Sequence, residues 1–425
     1  MTYQEKNREA LKEELDRLLS IYHKSRAKGL SLDLSRGKPN GEQLSLTDGL
    51  LDLPLLSEGA RSRDGIDCRN YGAFDGLSEM KELLGEIYGI DPARIFVGGN
   101  SSLQLMYDAL ARAMLFGVPG GEPWVLEPGR KWICVVPGYD RHFRVTEEFG
   151  FELLSVPMTP DGPDMDTVER LAADPAVKGI WCVPNYSNPT GNTYTETTVR
   201  RLVAMKTAAP DFRIFWDNAY AVHDATEQGD TLADIFALAK EYGTEDRVLY
   251  FGSTSKISFP GGGVAMVAAS ERNLADIRAR VGVETIGYDK INQLRHVRYF
   301  RDGKNVREHM KKLGKCVREK FDIALTELSA LDGCGIASYT NPRGGYFISL
   351  DVLPGTAKRV YALCRDAGVI LTPAGATYPY GKDPEDKNLR LAPTYPTSDD
   401  LRAATKILVL AVKIAALEKL LASEA

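Results

Sequence analysis

The sequence contains few cysteines, no paired-cysteine motif and no long apolar run. Its 425 residues include six cysteines, and none of them forms a CxxC pair. Zinc sites and disulfide frameworks depend on such spacings, so we expect neither here. No uninterrupted apolar run reaches the roughly 18 residues of a membrane helix, and the charged first residues carry no apolar signal core. We therefore predict a cytoplasmic protein without a metal site or a membrane span.

An excess of positive charge is also missing. The chain has 53 Lys and Arg residues against 58 Asp and Glu residues, which gives a formal net charge of −5. Its basic residues are scattered among acidic ones, whereas a nucleic-acid-binding surface needs basic residues clustered against phosphates. We expect no nucleic-acid partner.

The pattern of apolar residues predicts an α/β protein. The chain is longer than one hydrophobic core usually organises, so we expect two domains that share a cleft. Apolar residues recur at helical spacing from Glu5 to Ala27 and from Ser398 to Leu421, which indicates an amphipathic helix at each end. Between them, short β-branched or aromatic runs alternate with helical stretches, as in a mostly parallel sheet covered by helices.

Four of the short apolar runs are each followed by a polar or glycine-bearing loop. The runs cover residues 132–136, 180–183, 212–216 and 248–251, and the loops read PGYD, PNYSNPTG, DNAY and GSTSK. Open parallel sheets bind ligands outside the carboxyl ends of their strands. We therefore expect the four loops to line one crevice.

Two ionisable residues in these loops suggest covalent chemistry. Lys256 follows a turn of small residues that includes Ser253 and Ser255. The ordinary alternative is a surface lysine, but a desolvated amine beside phosphate-binding serines would attack an aldehyde. Asp217 ends an apolar strand, where an unpaired buried carboxylate would be costly, so a cation is expected beside it. The ordinary alternative is that Asp217 caps a helix or forms a salt bridge within the protein.

Polar residues in nearby loops extend this candidate site. Tyr220 could reach a ligand from the turn after Asp217, or else pack in the core, and Asn188 lies in an NPTG turn,. The segment Asn100–Ser102 precedes a helical pattern. Backbone N–H groups at the start of this helix could bind an anion. The alternative is that Ser101 only caps the helix.

Taken together and in this order, the motifs PNYSNPTG, DNAY and STSK resemble the class I and II aminotransferases, which depend on pyridoxal 5'-phosphate (PLP). Tyr71 with Gly76, the GGYF motif that starts at Gly344, and LRL around Arg390 extend the resemblance. The motifs SRGKPN, YGAFDGL, SKISFPGGGVA and DKINQLRH look like a divergent bacterial branch of aspartate aminotransferases, related to the effector domains of MocR-type regulators. We do not expect the N-terminal DNA-binding module of such regulators here.

The resemblance implies a fold-type I PLP-dependent transferase, with a mostly parallel central sheet, flanking helices and a smaller α+β domain. We expect residues 1–55 to contribute an N-terminal helix and segment to the small domain. Residues 56–305 would form the large PLP-binding domain, and residues 306–425 the small C-terminal domain.

The same resemblance implies roles for particular residues. Lys256 would hold PLP as a Schiff base and move the proton, Asp217 would pair with the pyridine nitrogen, and Arg390 would clamp the substrate α-carboxylate. The residues implied to bind the rest of the cofactor and the substrate are Asn188 and Tyr220 for the ring oxygen, Tyr139 for the ring face, Asn100, Ser101, Ser102, Ser253 and Ser255 for the phosphate, Tyr71 for the phosphate of the partner subunit in a homodimer, and Gly37 and Arg36 for the substrate.

One position departs from the family pattern. The family usually places a phosphate-binding arginine eight residues after the lysine, and Val264 stands there in this chain. We expect a glycine-rich nest of amides to compensate. A dicarboxylate substrate also needs a second cation, and surface salt bridges are the alternative role for each candidate. The candidates are Arg36, Lys38, Lys290, Arg295 and Arg343.

The leading functional hypothesis is an aminotransferase that acts between an L-amino acid, with aspartate as the first candidate, and 2-oxoglutarate. Two alternatives remain open. One is an aminotransferase or lyase that acts on another amino acid, aromatic or aliphatic, and the other is a PLP-binding sensor without turnover. The intact set of Lys256, Asp217 and Arg390 favours catalysis, with small amino and oxo acids as the only partners besides a second subunit.

Overall fold

The computed structural model describes residues 2–55, 57 and 59–423. Its helices are α1 Arg8–Arg26, α2 Gly41–Ser45, α3 Ser78–Tyr88, α4 Ser102–Phe116, α5 Asp140–Glu148, α6 Met165–Ala172, α7 Glu196–Ala204, α8 Ile235–Tyr242, α9 Glu271–Glu284, α10 Lys290–Phe300, α11 Gly303–Leu328, α12 Ala357–Asp366 and α13 Ser398–Ser423. Its strands are β1 Leu32–Asp33, β2 Ile95–Val97, β3 Lys131–Val136, β4 Glu152–Thr159, β5 Gly162–Pro163, β6 Val177–Cys182, β7 Arg213–Asp217, β8 Val248–Ser253, β9 Ala265–Ala269, β10 Ala337–Tyr339, β11 Ile348–Val352, β12 Val369–Ile370 and β13 Asn388–Leu391.

The central sheet confirms the predicted mostly parallel α/β architecture. Its eight strands lie in the order β2-β9-β8-β7-β6-β3-β4-β5. The run from β8 to β4 is parallel throughout, while β9 and β5 are antiparallel to their neighbours. Every residue of β6 and β7 is buried, because helices cover both faces of the sheet and leave these strands no solvent-facing side.

The four predicted strands are the parallel strands β3, β6, β7 and β8, with ends shifted by at most three residues. Because these strands are parallel neighbours, their carboxyl ends lie at the same edge of the sheet,. The loops that follow them meet at this edge.

The C-terminal part of the chain forms a second structural layer. The strands β10, β11 and β13 make an antiparallel sheet in which Ser349 pairs with Arg390. The predicted terminal helices are confirmed as α1 and α13, and they pack against each other. The helix α1 begins at Arg8 because the Asn7 side chain accepts the N–H of Ala10,. Since β1 also pairs with β12, the N-terminal segment is joined to the C-terminal part, while the domain boundaries stay a prediction.

No helix in the described part of the chain is long and apolar enough to cross a membrane. All six cysteines are free.

A candidate active site at the carboxyl ends of the parallel strands

Lys256 lies in the loop after β8, beside two aromatic rings. Its Nζ lies 4.9 Å from the ring centre of Tyr220, and its backbone carbonyl lies 3.2 Å from Nε2 of His223. Burial lowers the pKa of Lys256, and the nearby carboxylate of Asp217 partly opposes that shift. A lowered pKa raises the fraction of neutral amine, so this lysine is suited to nucleophilic attack.

Asp217 ends β7 and is held by a histidine that sequence reasoning missed. Oδ2 of Asp217 lies 2.9 Å from Nε2 of His142, and the His142 ring stacks on Trp181 with ring centres 4.3 Å apart. Oδ1 is buried and has no hydrogen-bond partner in the described part of the chain. The free oxygen suits a cationic N–H from a ligand ring. The one sequence signal for His142 is its place one helical turn after Tyr139 on α5.

Two tyrosines line the crevice around this carboxylate. Burial raises the pKa of Tyr139 to about 12, with a further contribution from Asp217. Burial also raises the pKa of Tyr220 far above its ordinary value. Both hydroxyls therefore keep their protons and can donate hydrogen bonds.

Arg390 on β13 faces the same crevice, and it already pairs with a carboxylate of its own chain. Its NH1 lies 2.8 Å from Oδ1 of Asp140, a residue that sequence reasoning did not single out. NH1 also donates to Oδ1 of Asn188 at 3.4 Å, and NH2 donates to Oγ1 of Thr372 at 3.3 Å. The guanidinium carbon lies 5.1 Å from the ring centre of Phe347.

Gly37 lies close to this arginine. A Cβ at Gly37 would come within 2.1 Å of Cζ of Phe347, the ring that packs on Arg390, so the backbone approach requires glycine. Arg36 points away into solvent, and its Nε lies 3.9 Å from a carboxylate oxygen of Asp33. The structure thus brings the backbone of Gly37 to the site but leaves the Arg36 side chain exposed.

The residues predicted to bind a phosphate gather at the N-terminus of α4. The Ser101 hydroxyl accepts the N–H of Gln104 at 3.3 Å. Ser101 therefore caps this helix, which was the alternative to anion binding. Ser255 donates its hydroxyl to the carbonyl of Asn100 at 3.0 Å, and its N–H lies 3.4 Å from Oγ of Ser253. The Lys256 loop is therefore tied to a helix N-terminus, where free N–H groups favour an anion.

The glycine-rich segment after Lys256 offers no cationic side chain. Val264 is buried, and its N–H donates to Oγ1 of Thr254 at 2.9 Å. A Cβ at Gly263 would lie 2.8 Å from Oγ of Ser255. Asn292 donates to the carbonyls of Gly262 and Gly263. The amide nest expected to replace the arginine stays a prediction.

Tyr71 lies outside the crevice of its own chain, and 77% of it is exposed. The carbonyl of the following Gly72 lies beside Gly287, just before α10.

The five candidate cations differ in their partners. Arg343 lies 3.0 Å from Asp230, and Lys38 lies over the Tyr395 ring at 3.9 Å. Lys290 is buried, while Arg36 is exposed near Asp33. The Nε atom of Arg295 is buried and without a partner among the described residues.

Known proteins match this chain over nearly its whole length. The sequence profile of the family described as "Aspartate amino-transferase" matches residues 7–424. An aspartate aminotransferase from Corynebacterium glutamicum is 47% identical over 395 residues, covering 92% of this chain and 91% of that protein. The crystal structure of an aspartate transaminase from the same species superposes with a TM-score of 0.96 at 44% identity, covering 99% of both chains.

A more distant structure shares the fold alone. The α-aminoadipate aminotransferase LysN from Thermus thermophilus, solved with N-(5'-phosphopyridoxyl)-L-leucine, matches with a TM-score of 0.74 at 21% identity, covering 94% of this chain and 95% of that one. The resemblance inferred from the motifs is confirmed by the family profile and the C. glutamicum relatives. The chain belongs to the aspartate aminotransferase family.

Proposed function

We propose that the protein is a PLP-dependent aminotransferase that transfers an amino group between an L-amino acid, aspartate first, and 2-oxoglutarate. The observation that carries this proposal is the grouping of Lys256, Asp217 and Arg390 around one crevice. They supply a nucleophilic amine, a carboxylate with one free oxygen and a guanidinium for a carboxylate ligand. The 47% identity with an aspartate aminotransferase supports aspartate as the amino acid.

The buried, unpaired Oδ1 of Asp217 fits the ring nitrogen of PLP. When bound, PLP supplies an aldehyde and a cationic ring that takes up the electrons released at the substrate Cα. Lys256 would hold the aldehyde group of PLP through its neutral amine, and that amine, once freed by the amino group of the substrate, would move the proton at the substrate Cα. Asp217 would keep the proton on the ring nitrogen, and His142 orients the carboxylate from Oδ2.

The surrounding loops hold the rest of the cofactor. Asn188 and Tyr220 would bind the ring oxygen, and Tyr139 would cover the ring face. The first turn of α4 would hold the phosphate, because the helix dipole favours negative charge there. The ligands of the phosphate would be Asn100, Ser101, Ser102, Ser253 and Ser255, without an arginine at position 264.

Arg390 binds the substrate α-carboxylate, with the backbone N–H of Gly37 as a second donor. For the distal carboxylate of a dicarboxylate substrate, Arg295 is the strongest candidate because its buried Nε has no partner in the described part of the chain. Arg36 and Arg343 are weaker candidates because each already lies near an aspartate. An exposed ion pair of that kind points to a surface role.

The protein acts as a homodimer in the cytoplasm, with Tyr71 reaching the phosphate of the partner subunit. Exposed apolar side chains on α4 and around the end of α9 support an interface on the side of Tyr71. They are Leu115, Phe116, Val283 and Ile286. A contiguous apolar patch on the surface of a protein often marks a site where another protein binds. Residues 56–305 form the large domain, and residues 1–55 complete the small domain of residues 306–425.

An absorbance titration tests the proposed activity. Aspartate added to the PLP-loaded protein should abolish the visible band of the cofactor bound to Lys256, and 2-oxoglutarate should restore it with formation of glutamate. Other amino acids are then compared at equal concentration. The Lys256→Ala variant is the control and should show neither change. If no amino acid changes the band of the native protein, the proposal is wrong.

A further inference from the structure

The guanidinium of Arg390 already holds a carboxylate from its own chain. NH1 lies 2.8 Å from Oδ1 of Asp140, in an ion pair whose side chains are 8% exposed for Arg390 and 33% exposed for Asp140. The same nitrogen donates to Oδ1 of Asn188, and NH2 donates to Oγ1 of Thr372. An NH1 group carries two hydrogens, so both are engaged.

A substrate carboxylate therefore finds few free donors on Arg390. A carboxylate binds arginine best through two parallel N–H donors. Nε is buried and without a partner among the described residues, so solvent does not reach it. The end formed by NH1 and NH2 becomes available if a present partner leaves. Asn188 and Thr372 are neutral and buried, at 5% and 6% exposure, which leaves Asp140 as the partner to be displaced.

Asp140 has a second favourable position close to the first. It is the first residue of α5, and the preceding cap residue, Tyr139, makes no side-chain hydrogen bond to that helix end. The N–H groups of a first helical turn attract a carboxylate. At this helix end the N–H of His142 already donates to the carbonyl of Tyr139 at 3.1 Å, which leaves the N–H groups of Asp140 and Arg141. Once released from Arg390, the Asp140 side chain can rotate towards these groups.

We propose that Asp140 sets the affinity of this site for carboxylate substrates. Its carboxylate occupies Arg390 between turnovers, and the α-carboxylate of the incoming amino acid or oxo acid displaces it. This inference rests on the proposed function, which places the α-carboxylate of the substrate on Arg390. A ligand that binds only the fraction of protein with a free Arg390 has a correspondingly weaker apparent affinity. As product leaves, Asp140 returns to the guanidinium and favours release.

The Asp140→Asn variant tests the displacement, because asparagine keeps the shape and the oxygen acceptor but removes the negative charge. The PLP-loaded variant should bind maleate, an unreactive dicarboxylate, about tenfold more tightly than the native enzyme, which corresponds to about 1.4 kcal/mol. KM for aspartate and for 2-oxoglutarate should fall by a similar factor, while kcat does not rise. Maleate binding is measured by calorimetry, which does not depend on cofactor colour.

Asp166→Asn is the matched control. Asp166 also lies in the first turn of a helix, α6, and it pairs with Arg201 at the surface. This control should leave maleate affinity unchanged. Asp140→Ser, which also removes the charge, is measured in parallel, so that a failure of one variant to fold leaves the other as the test. Structural damage would weaken binding, whereas the proposal requires tighter binding.

Unchanged or weaker maleate binding in folded Asp140 variants overturns the inference, because Asp140 would then stay paired or assist the ligand. Failure of the proposed function gives a different result. In that case no amino acid changes the visible band, whatever the maleate affinity. Arg390→Lys forms the remaining arm and should weaken maleate binding. Native affinity in that variant would place the carboxylate elsewhere and overturn the inference as well.

Discussion

Nε2 of His142 lies 2.9 Å from Oδ2 of Asp217, and both side chains are almost completely buried. The other oxygen of Asp217 has no partner in the described part of the chain. One oxygen is thus held by the protein while the other stays open to a ligand. A carboxylate anchored in this way keeps its direction, which is what the proposed role at the ring nitrogen requires.

The Asp217→Asn variant should retain PLP but lose turnover by about 10²–10⁴-fold, the range for removal of a proton-handling group. An amide cannot hold a proton on the pyridine nitrogen, so the ring becomes a poor electron sink. Asp217→Glu should do less harm because the charge survives. Cofactor content and kcat/KM for aspartate measure both effects. Full activity in Asp217→Asn would place the ring partner elsewhere.

Replacing Lys256 with alanine should reduce turnover by several orders of magnitude, on the order expected for loss of a covalent catalyst and proton carrier together. The native protein should be yellow, and borohydride followed by peptide mass analysis should locate the cofactor on Lys256. Turnover of the alanine variant at the native rate would remove Lys256 from the mechanism.

The rate at which PLP enters the apoenzyme should depend on the pKa of Lys256. Burial lowers this pKa, and the carboxylate of Asp217 opposes the shift. The neutral amine is the nucleophile, so a lowered pKa moves the rise in rate to lower pH than for a free lysine, whose pKa is about 10.4. Asp217→Asn should move the midpoint lower still. The rate of PLP incorporation, measured over a pH series for both proteins, gives the two midpoints. A midpoint of the native protein at or above the pKa of free lysine would contradict the prediction.

Arg390→Lys should weaken all amino-acid and oxo-acid substrates by about 1.5–3 kcal/mol, the range for loss of a charged hydrogen bond. A lysine cannot reproduce the two parallel donors of the guanidinium. Arg295→Gln should penalise aspartate while sparing alanine, because alanine has no distal carboxylate. Comparing kcat/KM for aspartate and alanine in both variants separates the two roles. If Arg390→Lys spared alanine, the α-carboxylate would bind elsewhere.

Sedimentation should show a homodimer, and a charge placed on the proposed interface should weaken it. Val283 on α9 is 91% exposed, so Val283→Asp costs little in an isolated subunit but buries a charge in the dimer. Leu126→Asp is the control, because Leu126 is also exposed but is not one of the four residues that define the proposed interface. An active native monomer at assay concentration would require a different role for Tyr71.

The strand–loop units and the residues that carry their chemistry were predictable from the sequence. Apolar periodicity located α1 and α13, and short apolar runs located four parallel strands, all within a few residues, because burial imposes a local pattern on each element,. Lys256 and Asp217 could be singled out because each directly follows or ends such a strand. The common edge followed from parallel pairing alone.

Tertiary structure alone decided which distant side chains meet. His142 and Asp217 are 75 residues apart, and Asp140 and Arg390 are 250 residues apart. Periodicity shows which face of an element is buried but not which element covers it. For the same reason the sequence could not predict that β9 lies antiparallel beside β8, or that Gly37 approaches Phe347. Contacts between elements depend on how remote parts of the chain pack, and that packing carries no periodic signal in any one segment.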